Sequence, residues 1–232
     1  AAFTWITKKL MGEVSIPVIT SNRINTPEVA EEVLSSGAAN MVSMARPFLA
    51  DAKFVSKAMA GKADQIAPCI ACNQACLDHT FGGKMTSCLV NPRACHETEL
   101  VIEPTADAKK IAVVGAGPAG LGTAMTAAER GHSVTLFDRA DDVGGQLNMA
   151  KQVPGKEEFY ETLRYYAGLI ERTGVQLKLN TPVDAASLLA GSFDHVVLAT
   201  GVTPRRPPIE GIDHPKVVDY LAVLRDKCTV GP

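Results

Sequence analysis

The chain has 232 residues, of which 46% are hydrophobic, and a formal net charge of −2 at pH 7. This hydrophobic share is enough to bury a core, and the near-neutral charge gives no reason to expect nucleic acid or an acidic membrane surface as a partner. No apolar run is long enough to cross a bilayer, and residues 1–10 lack the apolar stretch of a signal peptide, so we expect a cytoplasmic location.

Residues 1–61 are predicted to form the last part of a β/α fold. Thr26 and Pro27 make a favourable helix start, because threonine is a good N-cap and proline fits the first helical position. Gly37 stands where a helix commonly ends. The apolar runs on either side of this helix have the composition of buried parallel strands. The predicted order is strand, helix, strand, helix over residues 16–20, 26–36, 40–44 and 45–61.

Residues 62–100 show little periodicity and contain closely spaced cysteines. The spacing C-x2-C-x3-C-x11-C is formed by Cys69, Cys72, Cys76 and Cys88. Thiolates are soft ligands that suit iron–sulfur clusters and zinc. Zinc sites usually pair two CxxC knuckles, whereas a compact group of three with one distant member favours a [4Fe–4S] cluster. Zinc remains the alternative metal, and Cys95 is a rival for the fourth ligand position.

Residues 101–110 are polar, contain a proline and are predicted to be a linker, and residues 111–232 have the pattern of a βαβ series. Such a series predicts a parallel sheet flanked by helices. The predicted strands cover residues 111–114, 133–137, 175–179 and 195–199, and the predicted helices cover residues 118–130 and 156–173.

A glycine-rich turn joins the first strand and helix of this series. Its G-x-G-x-x-G pattern is formed by Gly115, Ala116, Gly117, Pro118, Ala119 and Gly120. The first glycine permits the tight turn, the second lets the backbone approach a pyrophosphate, and the third lets the helix pack on the strand. Asp138 ends the second strand, where a carboxylate can accept hydrogen bonds from an adenosine ribose. Strand, glycines, helix and acid together predict a dinucleotide site.

Two further segments bear on which dinucleotide binds. Gly144-Gly145-Gln146 follows the acid, and Ala199-Thr200-Gly201 closes a later strand. With Pro118 in the turn, both segments resemble FAD enzymes of the disulfide-reductase type and favour FAD. Arg139 leaves open an NADP alternative, because an arginine beside the acid can bind a 2′-phosphate.

Arg23 and Arg46 each follow a predicted strand of the front segment. Phosphate often binds at the carboxyl ends of the last two strands of a TIM barrel, where arginine and free helix N–H groups lie together. The pair therefore indicates an FMN phosphate site, and two unrelated surface arginines are the alternative.

The chain resembles the bacterial iron–sulfur flavoenzymes related to Old Yellow Enzyme and trimethylamine dehydrogenase, and within them the NADPH-dependent 2,4-dienoyl-CoA reductases. The likeness covers essentially the whole chain. It is carried by Asn22-Arg-Ile-Asn25, Met44-Ala-Arg-Pro-Phe-Leu-Ala-Asp51, Cys69-Ile-Ala-Cys-Asn-Gln-Ala-Cys-Leu77, Ser87-Cys-Leu-Val-Asn-Pro-Arg-Ala-Cys-His96 and Lys151-Gln-Val-Pro-Gly-Lys-Glu-Glu-Phe159.

The resemblance implies an α/β chain in three parts: the C-terminal end of a TIM barrel, an irregular iron–sulfur loop and a partial Rossmann-like FAD-binding domain. It places the FMN phosphate on Arg23, Ala45 and Arg46, and the cluster on the four cysteines. It places FAD on residues 115–120, Asp138, Gly145, Gln146, Thr200 and Gly201, with Arg164 and Val183 as weaker candidates.

The resemblance also implies a reaction in which electrons pass from NADPH to FAD, then through the [4Fe–4S] cluster to FMN, which reduces a double bond of an acyl-CoA. In this family the catalytic acid lies on earlier barrel strands, and an NADPH domain follows. We therefore expect an internal fragment of a longer oxidoreductase that does not catalyse the overall reaction alone. A related amine dehydrogenase or enoate reductase, a non-enzymatic electron-transfer module and a zinc-stabilised nucleotide-binding module are the alternatives.

Overall fold

A computed structural model describes residues 1–231. The chain separates into two compact units, with the boundary between Val101 and Ile102. Every strand pairing in either unit is parallel among the described residues, which is the arrangement expected of an α/β chain. None of the helices in this part of the chain has the length and apolar character needed to cross a membrane.

The first unit begins as an alternation of helices and short strands. β1 and β2 pair in parallel, with Ile19 opposite Met41 and Ser21 opposite Ser43. The elements are α1 (Thr4–Leu10), β1 (Ile19–Ser21), α2 (Pro27–Ser35), β2 (Met41–Ser43), α3 (Arg46–Ala50) and α4 (Phe54–Met59).

Helix α2 forms where its signals predicted it. The Thr26 side chain accepts a hydrogen bond from the Val29 backbone N–H, and Pro27 occupies the first turn. Gly37 adopts a φ of +67°, as a residue just past a helix end often does. Ala30 and Val33 are buried, so the helix packs with its apolar face inward.

Two predictions for this unit were wrong in their bounds. β1 starts at Ile19 rather than Ile16, because Pro17 has no N–H for the strand ladder and the Val18 N–H donates instead to the Asn40 side chain at 2.8 Å. The single helix predicted over residues 45–61 is two helices. Asp51 is extended between them (φ −147°, ψ 103°), and its carboxylate accepts from the Lys53 N–H at 2.9 Å.

The cysteine segment holds only short helical turns and long irregular stretches, as its lack of periodicity predicted. It contains a 3-10 turn (Ala63–Gln65), a π-helical turn (Gln74–Asp78) and α5 (His79–Phe81).

The second unit is built on a four-stranded parallel sheet in the order β5-β4-β3-β6. The four predicted strands are all present, each with bounds within one residue, whereas the short helices Leu147–Ala150 and Ala185–Ala190 were not predicted. The elements are β3 (Lys110–Val114), α6 (Pro118–Glu129), β4 (Ser133–Phe137), α7 (Leu147–Ala150), α8 (Phe159–Thr173), β5 (Gln176–Lys178), α9 (Ala185–Ala190), β6 (His195–Leu198) and α10 (Tyr220–Leu224).

The core of the second unit lies between α6 and the centre of the sheet. Val113 on β3, Leu121 and Ala124 on α6, and Leu136 on β4 have no solvent exposure. β3 is flanked on both sides by partners, which explains its continuous apolar sequence. This packing fixes the carboxyl end of β3, from which the glycine-rich turn emerges.

Candidate functional site

The structure brings the four predicted cysteines around one cavity in the first unit. Cys69, Cys72, Cys76 and Cys88 all line it, whereas Cys95 does not. Much of the remaining wall is apolar, with two polar side chains. Its other members are Leu49, Ile70, Ala75, Leu89 and Val90, together with Arg46 and Asn73.

Burial affects the pKa of two of these thiols. It raises the pKa of Cys69 and of Cys88 above the ordinary value, and the neighbouring cysteines add to the effect. Hydrogen bonds from backbone N–H groups partly offset this rise in pKa. The Ala71 N–H lowers the pKa of Cys69, and the N–H groups of Val90 and Asn91 lower the pKa of Cys88. These N–H groups favour the thiolate, which is the form that binds metal.

Three hydrogen bonds tie the cysteine segment to α3 and the residues that follow it. Arg46 Nη1 donates to Asn73 Oδ1, between Cys72 and Cys76. The Asn91 side chain donates to the Leu49 carbonyl oxygen at 2.8 Å, close to Cys88. The Ala67 N–H donates to Asp51 Oδ2 at 3.0 Å, two residues before Cys69. The cysteine segment is therefore fixed at three places, Ala67, Asn73 and Asn91, to one short stretch of chain. We call this stretch, residues 46–51, the α3 platform.

The thiols border a space rather than meeting at one point. Within residues 1–231, no three or more His, Cys, Asp or Glu side chains converge in a way that could hold a single metal ion. A mononuclear zinc site needs all its sulfurs about 2.3 Å from one ion, whereas each thiolate of a [4Fe–4S] cubane binds a different iron. The donor set and its cavity wall fit a cluster.

In the second unit, the glycine turn lies at the carboxyl end of β3. Gly115 has a φ of +107°, and a Cβ on it would lie 2.3 Å from the Ala199 carbonyl oxygen. A Cβ on Gly120 would lie 1.7 Å from the Gly115 carbonyl oxygen. A Cβ on Gly117 would meet nothing closer than 3.9 Å. The first and third glycines are thus required for packing, and the second leaves open space where the motif expects a pyrophosphate.

Asp138 holds this turn in place. Its Oδ2 accepts from the Ala116 N–H at 2.6 Å, and its Oδ1 accepts from the Ala140 N–H at 2.8 Å. The sequence predicted Asp138 as a ribose ligand but gave no sign of these bonds to the backbone. A carboxylate has about four lone-pair sites, so two accepted bonds leave acceptor capacity for a ribose hydroxyl.

The structure also brings the Gly-Gly segment and the end of β6 to the turn. The Gly144 N–H donates to the Ala116 carbonyl oxygen at 2.8 Å, and a Cβ on Gly145 would lie 3.1 Å from the Gly117 Cα. The Gln146 side chain donates to the Val202 carbonyl oxygen at 3.4 Å, just past Thr200 and Gly201. The Tyr220 hydroxyl donates to Gln146 Oε1 at 3.2 Å. Tyr220, on α10, is a neighbour that the sequence analysis missed.

The two weaker FAD candidates, Arg164 and Val183, belong to different segments of this unit. Arg164 is on α8, where its Nε donates to Glu161 Oε2 at 2.6 Å. Val183 is half-buried and follows Thr181, whose N–H donates to the Asp138 carbonyl oxygen at 2.8 Å. This bond places the segment of Val183 beside the predicted ribose ligand.

The FMN candidates follow β1 and β2 at the same sheet edge. Ser21 pairs with Ser43, and Arg23 and Ala45 each lie two residues beyond this pair. Arg23 is exposed and has a φ of +54°. Arg46 opens α3, and its side chain lies in the wall of the cysteine cavity. No sequence pattern indicates this second neighbourhood for Arg46.

Comparison with known proteins matches a different family to each of the two units. Residues 2–65 match the family described as NADH:flavin oxidoreductase / NADH oxidase. Residues 109–228 match the family described as pyridine nucleotide-disulphide oxidoreductase.

Similar proteins are found over nearly the whole chain. A metal reductase of Desulforamulus reducens is 42% identical over 99% of this chain and 35% of its own length. A cinnamate reductase of Clostridium sporogenes is 34% identical over 94% of this chain and 32% of its own length. A solved structure of a 2-naphthoyl-CoA reductase complex matches all of this chain and 36% of its own, at 36% identity and a TM-score of 0.93.

The chain therefore spans about a third of the length of each of these relatives. Because one family pattern matches more than half of it, the chain belongs to the pyridine nucleotide-disulphide oxidoreductase family, within the class of FMN- and FAD-dependent oxidoreductases related to Old Yellow Enzyme and 2-naphthoyl-CoA reductase.

Proposed function

We propose that this chain is the cofactor-holding part of an NAD(P)H-dependent flavin and iron–sulfur oxidoreductase that reduces a carbon–carbon double bond of 2,4-dienoyl-CoA. The observation that carries the proposal is the cavity bordered by Cys69, Cys72, Cys76 and Cys88, in a chain that also has the glycine turn. When bound, FAD and FMN would supply hydride-transfer chemistry and the [4Fe–4S] cluster would supply single-electron transfer between the two flavins.

The chain's own residues supply binding and orientation. The four cysteines would hold the cluster as thiolates, and apolar side chains of the wall, including Leu49 and Ile70, would limit the access of water to it. The glycine turn would hold the FAD pyrophosphate close to the backbone of Gly117, with Asp138 on the ribose. Arg23, Ala45 and Arg46 would contact the FMN phosphate at the carboxyl ends of β1 and β2.

The proposed substrate class is supported by the substrates of two similar proteins. Both 2-naphthoyl-CoA and cinnamate carry unsaturation conjugated to a carboxyl carbon, as a 2,4-dienoyl-CoA does. An aromatic acyl-CoA is a second candidate substrate, favoured by the close structural match to the 2-naphthoyl-CoA reductase. Rates of reduction of the two acyl-CoA esters by the full polypeptide that contains these residues would distinguish them.

The cluster is tested by metal and sulfide analysis of the protein purified without oxygen. We expect about four iron atoms and four sulfide ions per chain, together with FAD. Cys88→Ser should lose the iron, because Cys88 lines the cavity. Cys95→Ser is the matched control and should keep it, because Cys95 is exposed and lies outside that wall.

Two results would overturn the proposal. One zinc per chain with no iron would indicate a structural metal instead. Loss of iron in Cys95→Ser but not in Cys88→Ser would assign the fourth ligand to the rival cysteine, and the cavity described above would then not be the cluster site.

A further inference from the structure

Arg46 is the one permanently charged side chain in the cavity wall that residues 1–231 define. It lines the same space as the four cysteines and is half-buried. A positive charge in such a partly desolvated place acts more strongly than the same charge in water.

The guanidinium is held in this position by one side chain. Arg46 Nη1 donates to Asn73 Oδ1, and the Asn73 backbone has a φ of +62° immediately before the π-helical turn. The Asn73 carbonyl oxygen accepts from the Asp78 N–H at 3.0 Å, so the residue also closes that turn. Cys72 and Cys76 stand on either side of it. The Arg46–Asn73 bond therefore joins the start of α3 to the loop that carries two of the four thiols.

We infer that Arg46 is a positioning residue for the cluster, with two effects: it fixes the Cys72–Cys76 loop through Asn73, and its charge favours the reduced cluster. The inference rests on the proposed function, since it requires the cluster to bind. Reduction adds an electron to a group already surrounded by thiolates, and a nearby cation stabilises the more negative state more strongly. Removal of the charge should therefore make the cluster harder to reduce.

The test is a dye-mediated redox titration of the protein purified without oxygen, followed by the electron paramagnetic resonance signal of the reduced cluster. This signal reports the cluster itself and not turnover or flavin content. For Arg46→Gln we expect the reduction equilibrium to shift about tenfold toward the oxidised cluster, which is a potential lower by about 59 mV. Arg46→Lys should restore most of the wild-type potential, because it keeps the charge.

Two further variants separate the charge from the hydrogen bond. Asn73→Gly keeps a residue that tolerates the left-handed backbone but removes the acceptor, so the shift should have the same sign and be about two- to threefold. Arg93→Gln is the matched control. Arg93 belongs to the same segment but donates to the Leu100 carbonyl oxygen, outside the cavity wall, so the potential should stay at the wild-type value.

The outcomes distinguish the inference from the proposed function. Wild-type protein without iron would overturn both. Iron at full content with equal potentials in Arg46→Gln and Arg93→Gln would overturn the inference alone. If Arg46→Gln fails to keep its iron, Asn73→Gly decides: a shifted potential or partial iron loss supports the inference, and wild-type behaviour overturns it.

Discussion

Gly120 is the residue of the glycine turn that leaves least room for a side chain, because a Cβ there would lie 1.7 Å from a backbone oxygen. Backbone cannot move aside as a flexible side chain can. We expect Gly120→Ala to abolish FAD binding and to destabilise the second unit by about 1–3 kcal/mol, the usual range for overpacking. Flavin content after purification and urea unfolding would measure the two effects.

Gly122, on the same helix, is the matched control for Gly120. The nearest atom to a Cβ on Gly122 is the Tyr166 hydroxyl oxygen at 3.8 Å, which is ordinary contact. Alanine is favoured over glycine in a helix interior by up to about 1 kcal/mol, so Gly122→Ala should keep FAD and be slightly more stable. Equal FAD content in the two variants would contradict the steric argument.

Single residues also show what the sequence could not reveal. The residue types at Asp138 and Arg46 indicated ligands for a ribose and a phosphate. No local pattern connects Arg46 to Asn73, which lies 27 residues further on, or Asp138 to the Ala116 N–H, 22 residues earlier. Such partners are set by how loops pack after folding, and this information is spread over the whole unit rather than held in a motif.

At the level of elements, the α3 platform depends on Asp51. Its carboxylate is 7% exposed and accepts bonds from Lys57 Nζ at 2.5 Å and from the Ala67 N–H at 3.0 Å. Asp51→Ala would leave a half-buried ammonium and a buried N–H without this partner, and we expect a loss of about 3 kcal/mol in the free energy of unfolding of the first unit. Urea denaturation measures it. Asp51→Asn, which keeps the acceptor but not the charge, should fall between wild type and Asp51→Ala, and an alanine variant as stable as wild type would refute the role.

The packing of α8 gives a prediction about alkaline pH. Tyr166 lies against the core of the second unit, and burial raises its pKa above the ordinary value of 10.0. Above that pH the unfolded chain releases the phenol proton while the folded chain keeps it, so stability should fall as the pH rises through the folded pKa. Tyr166→Phe should show a shallower fall between about pH 9 and 12. Identical pH profiles for the two proteins in urea titrations would exclude a contribution from Tyr166.

Elements with strong local signals were predictable, and weakly marked ones were not. Thr26, Pro27 and Gly37 fixed both ends of α2, and apolar runs located the four strands of the second unit. α9 was missed although Asp184 caps it, because its capping box uses Ser187 in place of the usual Glu or Gln. The break at Asp51 was missed because a buried carboxylate bound to distant groups, rather than a proline or glycine, interrupts the helix.

At the scale of the molecule, the chain consists of two units with separate candidate sites. A ligand stabilises the cooperatively unfolding unit that contains its binding site. We expect FAD at about 100 times its dissociation constant to stabilise the second unit by about 2.7 kcal/mol and to leave the first unchanged. Amide hydrogen exchange should therefore slow in β3, α6 and β4 but not in α2 or α4. An equal FAD-dependent increase in protection in both units would show that they unfold together. Addition of FAD to Gly120→Ala should cause no increase in protection in either unit.

The architecture of the whole chain was also predictable only in part. Parallel pairing and a glycine turn at the end of β3 follow from the βαβ pattern. That pattern does not show that Tyr220 contacts Gln146, because the bond spans 74 residues and belongs to a segment with little periodicity.

The backbone around the first two cysteines has one more consequence. Ala71 and Asn73 both lie in the left-handed region, with φ values of +52° and +62°, although neither is a glycine. For alanine this conformation costs about 1–2 kcal/mol, and under the proposed function cluster ligation by the flanking Cys69 and Cys72 would offset that cost. Under the proposed function, loss of the cluster to oxygen would remove this compensation, and we expect the segment to relax and its sulfurs to move apart. Oxidation of the proposed cluster would then disrupt the binding loop as well, and reassembly would require this segment to refold around new iron and sulfide.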